Sequence, residues 1–348
     1  MNDRARTVLG IIGGAIGVSI IAAVAAVCLH DRELAMQQAQ ASISTVPRST
    51  FEAVVDPDSE SPTMERHIMY NGQEYQYRED IDTLLLIGTD DYEMSDIEMS
   101  NTLRNTSQSD FLLVVVFDNT NETYRIIQIN RDTMTAIRKY DIYGQYEGLI
   151  ILQIALSHTY GTGADDSCRD TEFAVSRLLY DSDIDYYMAI TMSAVPILND
   201  LVGGVDVVIE DNFEGVNDRF RVGETVHLEG DDALLFVRSR QSMPDDSTNI
   251  ARMGRQRTYM LAFMEALGNS MQEDPDFEVR AFSALSDCMI TDMSTDVIDM
   301  MAARFLEYDE EGIFVIEGEA VEGTTYMEFY PDEAALRQLI IDTFYEPV

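Results

Sequence analysis

Hydrophobic positions along the chain fall into three regimes. The first is an uninterrupted apolar run from Val8 to Leu29, 22 residues without a charge. At about 1.5 Å rise per residue, such a run can cross a hydrocarbon core of roughly 30 Å as a helix. The second regime, residues 30–79, has no sustained period and scatters Pro47, Pro57 and Pro62 among Ser, Thr and acids, which reads as a stalk or linker. From about residue 80 the pattern changes to strand-length apolar runs interleaved with stretches of helical period, and this third regime, 80–348, reads as the folded domain.

Within the domain, Thr83 to Ile87 predicts a buried strand that delivers Gly88-Thr89-Asp90-Asp91 at its carboxyl end. Phe111 to Phe117 and Tyr124 to Ile129 predict two more, joined by a connection short enough to make them antiparallel. A hairpin symmetric about Thr120-Asn121 sets Asp110 opposite Arg131-Asp132, and Asp90 joins them if its strand runs parallel to the second. Further on come an apolar segment over 149–160 ending in His158, a helix from Thr171 to Leu179, a strand from Tyr186 to Ile190, and a helix from Ala194 to Leu201. That helix is closed by Gly203-Gly204, and a strand follows from Val205 to Ile209. If residues 238–240 are extended, Arg238 and Arg240 share a face; in a helix from about Ile250 to Leu267, Arg252 and Arg255 lie on one side. The remainder predicts a strand from Asp276 to Ala281, a helix from Val297 to Leu306, and strands at Ile313 to Ile316 and near Met327 to Tyr330. A final helix is opened by Pro331-Asp332-Glu333.

Charge sharpens this picture. The formal net charge is -40, with 63 acidic against 23 basic residues, which speaks against a broad nucleic-acid-binding surface. Against that background five arginines (Arg238, Arg240, Arg252, Arg255 and Arg257) fall within 20 residues. A guanidinium fork grips phosphate or carboxylate through paired hydrogen bonds, so the cluster asks for an anionic partner, with surface salt bridges as the alternative. Carboxylates at one sheet edge suit magnesium, which takes one or two protein carboxylates, waters and substrate phosphate oxygens; Asp110 ending a strand and Asp132 capping a helix is the plainer reading. His158 has no partner named by spacing and reads as structural or pocket-lining. Cys168 and Cys288 could pair or stay separate, and no cysteine spacing suits a metal. Arg4 and Arg6 precede the apolar run, so residues 1–7 are expected in the cytoplasm, 8–29 in the membrane and the rest outside the cell, with a cleaved signal peptide as the rival.

The order of motifs resembles the LytR-CpsA-Psr family. It is carried by Leu84-Leu85-Leu86-Ile87-Gly88-Thr89-Asp90, Ser109-Asp110, Ile129-Asn130-Arg131-Asp132-Thr133, Leu201 to Asp206, Leu228-Glu229-Gly230 through Arg238-Ser239-Arg240, and Arg252 to Gln256. It continues through Thr291 to Thr295 and Tyr330 to Ala334. The resemblance implies an α/β (α+β) fold, a mixed central β-sheet flanked by helices behind one N-terminal transmembrane helix and a stalk. It implies a membrane-anchored phosphotransferase that moves a glycopolymer, such as a teichoic acid or capsular polysaccharide, from a polyprenyl-pyrophosphate carrier to peptidoglycan as a phosphodiester. Asp90 and Asp110 match the positions for Mg2+, and Arg131, Arg238, Arg240, Arg252 and Arg255 those for the pyrophosphate. Asp132 is the candidate base, or orients Arg131; Arg131, Asp132 and Arg240 form the expected catalytic group. The match departs from the family pattern at Gln108 (for arginine), Gln153 (for lysine), Ala155 (for asparagine) and Asn249 (for an acid). A scaffold that only binds polyprenyl phosphates, or a pyrophosphatase acting on the same carrier, is the alternative function.

Overall fold

The computed structural model describes residues 67–89, 107–141, 143–239, 250–274, 277–323 and 326–348. The apolar run Val8 to Leu29, Asp90 and Arg240 lie outside these residues, as does the side chain of Arg252. Among the described residues no helix is long and apolar enough to cross a membrane.

In chain order the elements are β1 (His67–Tyr70), β2 (Gln73–Tyr77), β3 (Ile81–Thr89), β4 (Ser109–Asp118), β5 (Thr123–Ile129), β6 (Met134–Tyr140) and β7 (Tyr146–Gln153). A 3-10 segment (Ile154–Tyr160), α1 (Asp165–Leu178), β8 (Tyr186–Thr191), α2 (Ala194–Leu201), β9 (Val205–Val208) and β10 (Thr225–Leu228) follow. Then come α3 (Asp231–Arg238), α4 (Ile250–Glu273), α5 (Phe277–Leu285), β11 (Met289–Thr291), α6 (Thr295–Glu307), β12 (Asp309–Val315), β13 (Gly318–Glu322), β14 (Met327–Pro331), α7 (Glu333–Phe344) and β15 (Tyr345–Pro347). These form two compact units, one from the described residues of 32–189, 290–292 and 311–348, the other from those of 190–289 and 293–310.

The first unit is built on a six-stranded sheet in the order β11-β8-β3-β4-β5-β12. Strand β4 is antiparallel to both β3 and β5. Strands β5 and β12 start together, Thr123 Oγ1 donating to Glu311 at 2.9 Å, and end together, Ile316 N donating to Gln128 O at 3.4 Å, so the sheet is mixed. Its centre is buried on both faces, which is why β3 to β5 read as near-continuous Leu, Ile and Val rather than as alternation. Residues 149–160, read as one apolar segment, divide between the end of β7 and the 3-10 segment, and β7 pairs with β6 from Met134↔Gln153 to Tyr140↔Tyr146 around Gly144, which adopts φ 76°. Strands β1 and β2 lie inside the stretch read as stalk, and β2 pairs with β15 at the carboxyl end, Tyr345 opposite Tyr77. Folded structure therefore begins by His67, not at about residue 80.

The second unit packs Phe213, Phe220 and Phe236 with Tyr259, Phe263 and Phe277 around the β9–β10 pair. The strand expected from Asp276 to Ala281 is instead helix α5, because Phe277, Ala281 and Leu285 recur every fourth residue and are all buried, a helical face that period-two reading missed. The extended stretch expected at 238–240 is also corrected in part: Arg238 is the last residue of helix α3, whose Ala233, Phe236 and Val237 are its buried face. An arginine in that last turn complements the negative end of the helix dipole. Helix α2 closes as expected, Gly203 and Gly204 at φ 81° and 88° with Gly204 N donating to Asn199 O at 2.8 Å.

Candidate active site

The β4–β5 register sets Leu112 opposite Ile129 and Asp118 opposite Thr123. Continued past the strands, the same register brings Asp110 across from Arg131, and Nη1 of Arg131 donates to Oδ1 of Asp110. Nη2 donates to Oε1 of Gln108, while Nε stands 3.5 Å from Oδ1 of Asp132. The Arg131 and Asp110 side chains are only 9% and 4% exposed, so this is a charge pair in a low-dielectric setting, where the partners hold each other tightly. Gly88 allows the neighbouring strand to lie close: a Cβ there would stand 2.8 Å from the Cβ of Phe111. A bulge at Gly88/Thr89 then sets Thr89 beside Ser109 at the end of β3.

Asp132 is placed by a local turn and by three neighbours. Its backbone N donates to Oδ1 of Asn130 at 3.0 Å, the Asx turn that asparagine favours. Flanking backbone bonds pin the segment: Ala155 N to Arg131 O at 3.1 Å, Phe329 N to Asp132 O at 2.9 Å and Ile154 N to Thr133 O at 2.8 Å. Gln153, at the end of β7, then bridges the carboxylate to β14, its Nε2 donating to Asp132 Oδ1 at 2.8 Å and to Met327 O at 2.7 Å. Asp132 thus caps no helix. The bracing by Gln153 and Asn130 was not anticipated; only the unforeseen β6–β7 register could have shown that Gln153 ends beside Asp132.

His158 is buried, with Nδ1 2.9 Å from Ser107 O, and burial lowers its pKa so that it stays neutral. Because a carbonyl only accepts, Nδ1 is the protonated nitrogen, and the ring tethers the segment entering β4. Cys168 and Cys288 are both free thiols.

In the second unit Arg255 is 4% exposed in its side chain. Its Nε donates to Phe236 O at 3.2 Å, Nη1 to Asp211 Oδ2 at 2.7 Å and Nη2 to Ser239 O, and the guanidinium carbon lies 5.7 Å from the Phe213 ring centroid. Every nitrogen of this expected pyrophosphate ligand is engaged by the chain itself, so in this arrangement it braces the end of α3 and the start of the segment carrying Arg240. Arg238 is exposed.

A family model described as the LytR_cpsA_psr family matches residues 48–338. The chain belongs to the LytR_cpsA_psr family. Among curated relatives of this LytR_cpsA_psr protein, the Polyisoprenyl-teichoic acid--peptidoglycan teichoic acid transferase TagU of Bacillus cereus (strain AH820) is 32% identical over 153 residues, 44% of this chain and 45% of that protein. The chain thus spans about half the length of the curated relatives it matches. Protein gbs0355 from Streptococcus agalactiae superposes with a TM-score of 0.58 at 18% identity, covering 76% of this chain and 86% of that one. TagV of B. subtilis superposes with a TM-score of 0.53 at 20% identity, covering 76% and 96%. These superpositions establish the fold: the mixed sheet flanked by helices is that of the family.

Chemically, the Arg131 to Asp132 segment offers a buried guanidinium beside a carboxylate that keeps 15% exposure. Among the described residues no group of three or more His, Cys, Asp or Glu converges as a metal site. Magnesium needs only one or two protein carboxylates. An aspartate oxygen is a hard donor, so Asp110, although already bonded to Arg131, is of the type a hard cation takes.

Proposed function

We propose that this protein is a phosphotransferase that moves a glycopolymer from a polyprenyl-pyrophosphate carrier to peptidoglycan. The observation that carries the reading is the coupling of Arg131 to Asp110, Gln108 and Asp132 at the end of the β4–β5 hairpin, within a chain of the LytR_cpsA_psr family. Phosphoryl transfer is catalysed mainly by positioning and by stabilising charge, and a guanidinium fixed on two sides is suited to both. Nε of Arg131 is buried without a hydrogen-bond partner among the described residues, and a catalytic contact that is long in the free protein can tighten once substrate is bound.

In the reaction, the oxygen of an acceptor sugar hydroxyl bonds to the phosphorus that bears the glycan. The bridging bond from that phosphorus to polyprenyl phosphate breaks, and polyprenyl phosphate leaves. Asp132 takes the hydroxyl proton. Arg131, Arg238, Arg240 and Arg252 are the groups proposed to neutralise the pyrophosphate, and Arg255 contributes by holding Ser239 O at the end of α3. Mg2+ on Asp90 and Asp110 supplies further charge neutralisation when bound. The Val8 to Leu29 run anchors the protein in the membrane with the domain outside, where a lipid-linked substrate is met; the polymer is a teichoic acid or another wall or capsular glycan.

The test is a one-pot assay of the full chain in detergent with a short-chain polyprenyl-diphosphate glycan, magnesium and peptidoglycan oligomers, read by mass spectrometry. Polyprenyl phosphate together with glycan-modified oligomer is the expected result. Polyprenyl phosphate alone would replace transfer by hydrolysis, and tight binding without either product would replace the enzyme by a lipid-binding scaffold.

A further inference from the structure

Strand β7 is apolar on both faces. Ile150 and Leu152 pack against the core of the first unit, and Leu149 and Ile151, which alternate with them, face the other way. Residues directly opposite on paired strands share a face, so Leu149 and Ile151 stand with Arg138 and Ala136 of β6; past the bulge at Lys139/Tyr140, Tyr146 stands with Tyr140. Helix α1 covers the β6 row. Arg138 Nη1 donates to Asp170 Oδ1 at 3.2 Å with its guanidinium 4.1 Å from the Phe173 ring centroid, and Tyr140 Oη donates to the same oxygen at 2.8 Å. The β7 row is left more open, with Ile151 45% and Tyr146 58% exposed, and Tyr143 in the turn is 81% exposed. The wet face of an antiparallel strand ordinarily carries polar residues. Single exposed apolar side chains are common, whereas a set of them on one hairpin marks an interaction surface.

The polar groups of this hairpin are already engaged. Asp141 Oδ1 accepts from Tyr143 N and Gln145 N, both at 2.8 Å, while Asp141 N donates to Gln145 O and Gly144 N to Asp141 O, both at 2.9 Å. Lys139 Nζ lies 2.8 Å from Glu147 Oε2, and Arg138 is paired with Asp170. In a chain of net charge -40, residues 134–153 hold two cations and two acids and are neutral. Outward the turn offers aromatic and aliphatic surface with its backbone donors used, which suits the headgroup boundary of a bilayer, where water is scarce and tyrosine is enriched.

We propose that the outer face of the β6–β7 hairpin, formed by Tyr143, Tyr146, Leu149 and Ile151, rests on the lipid bilayer at the depth of the headgroups. Depth is limited because, among the described residues, β7 pairs with β6 alone, and a strand edge does not enter hydrocarbon with its backbone groups unbonded. Acidic surface is repelled by anionic lipid, so the neutral hairpin is where contact is least opposed. The 37 residues from 30 to 66, between the apolar run and β1, span at most about 130 Å, so an anchored domain meets lipid at high effective concentration and a modest apolar face suffices. This inference rests on the membrane placement proposed above and adds which face of the domain meets lipid.

The chain has no tryptophan, so a single introduced one reports its own surroundings. Tyr143→Trp and, as a control, Tyr180→Trp, past the carboxyl end of α1 and 41% exposed, are each made in the full chain. Both are reconstituted in phosphatidylcholine vesicles with or without bromine on the upper acyl carbons. The expected result is that brominated lipid removes most of the Tyr143→Trp emission and leaves that of Tyr180→Trp unchanged, and that adding Ile151→Asp to Tyr143→Trp restores most of the lost signal. Equal Tyr143→Trp emission in the two kinds of vesicle, from protein that floats with them, would overturn the proposal and leave the anchor standing. Equal quenching of both reporters would also overturn it. Emission that responds instead to soluble peptidoglycan oligomers, or to protein density in the vesicle, would give the face to a glycan or to a second copy of this chain. Protein that does not float with vesicles would overturn the membrane placement itself, and this assignment with it.

Discussion

Nη1 of Arg131 donates to Oδ1 of Asp110, joining side chains 21 positions apart across the open end of the β4–β5 hairpin. Breaking a buried pair on one side costs more than the pair is worth, because the remaining charge stays desolvated. Arg131→Ala should therefore lower unfolding free energy by about 3–5 kcal/mol in urea titrations and abolish transfer. Adding Asp110→Asn should restore most of the stability and none of the turnover. Equal, additive losses from the two changes would contradict the coupling.

That pair was legible before the fold was known, because a short connection between two β-rich runs leaves few registers and symmetry about Thr120-Asn121 names Asp110 and Arg131 directly. Element types were readable where the apolar spacing was clean, as in α2, α6 and α7. They were misread where two periods compete over a short window: Asp276 to Ala281 carries only Phe277, Val279 and Ala281 as apolar residues, an alternation that also sits on a helix once Leu285 extends the stripe. The bracing contacts were out of reach for a different reason. Gln153 meets Asp132 through the β6–β7 register, and Arg255 meets Asp211 and the end of α3 through tertiary packing, neither of which leaves a local mark in sequence.

Arg255 holds three acceptors from a buried position, two of them backbone carbonyls at Phe236 and Ser239. Arg255→Ala should expose Asp211 and those carbonyls and cost roughly 2–4 kcal/mol, since hydrogen bonds to charged groups contribute more than neutral ones. Hydrogen exchange should quicken at the carboxyl end of α3, and Arg255→Lys, which cannot span all three acceptors, should recover less than half of the loss. A melting curve and exchange pattern like wild type would instead release Arg255 to act on substrate directly.

Burial, with the neighbouring carboxylates of Asp165 and Asp166, pushes the Cys168 thiol up to about 12. The thiolate is the reactive form, so Cys168 should resist iodoacetamide in the native protein at pH near 8 while Cys288, only partly buried, is labelled. Peptide mapping by mass spectrometry reads both sites at once, and protection of Cys168 should vanish in denaturant. A mapped disulfide between Cys168 and Cys288 would refute the free-thiol arrangement.

His227 of β10 sits opposite Asp206 of β9, with Nδ1 2.9 Å from Asp206 Oδ1 and Nε2 3.1 Å from Gly203 O. Both partners only accept, so both ring nitrogens donate together only in the imidazolium, and the hydrogen bond to Asp206 raises the pKa above the usual value of about 6.5. Glu229 adds to the same effect. A folded-state pKa above the unfolded one means that the contribution is complete below about pH 6.5 and fades as pH rises through the folded value. The ring is 46% exposed and solvent screens the pair, so the contribution is no more than about 1 kcal/mol. His227→Gln keeps a side chain of similar reach without the charge. Its melting temperature should fall below wild type at about pH 5.5 and converge with it at about pH 9. A gap that stays constant across that range would mean the histidine acts there by packing alone.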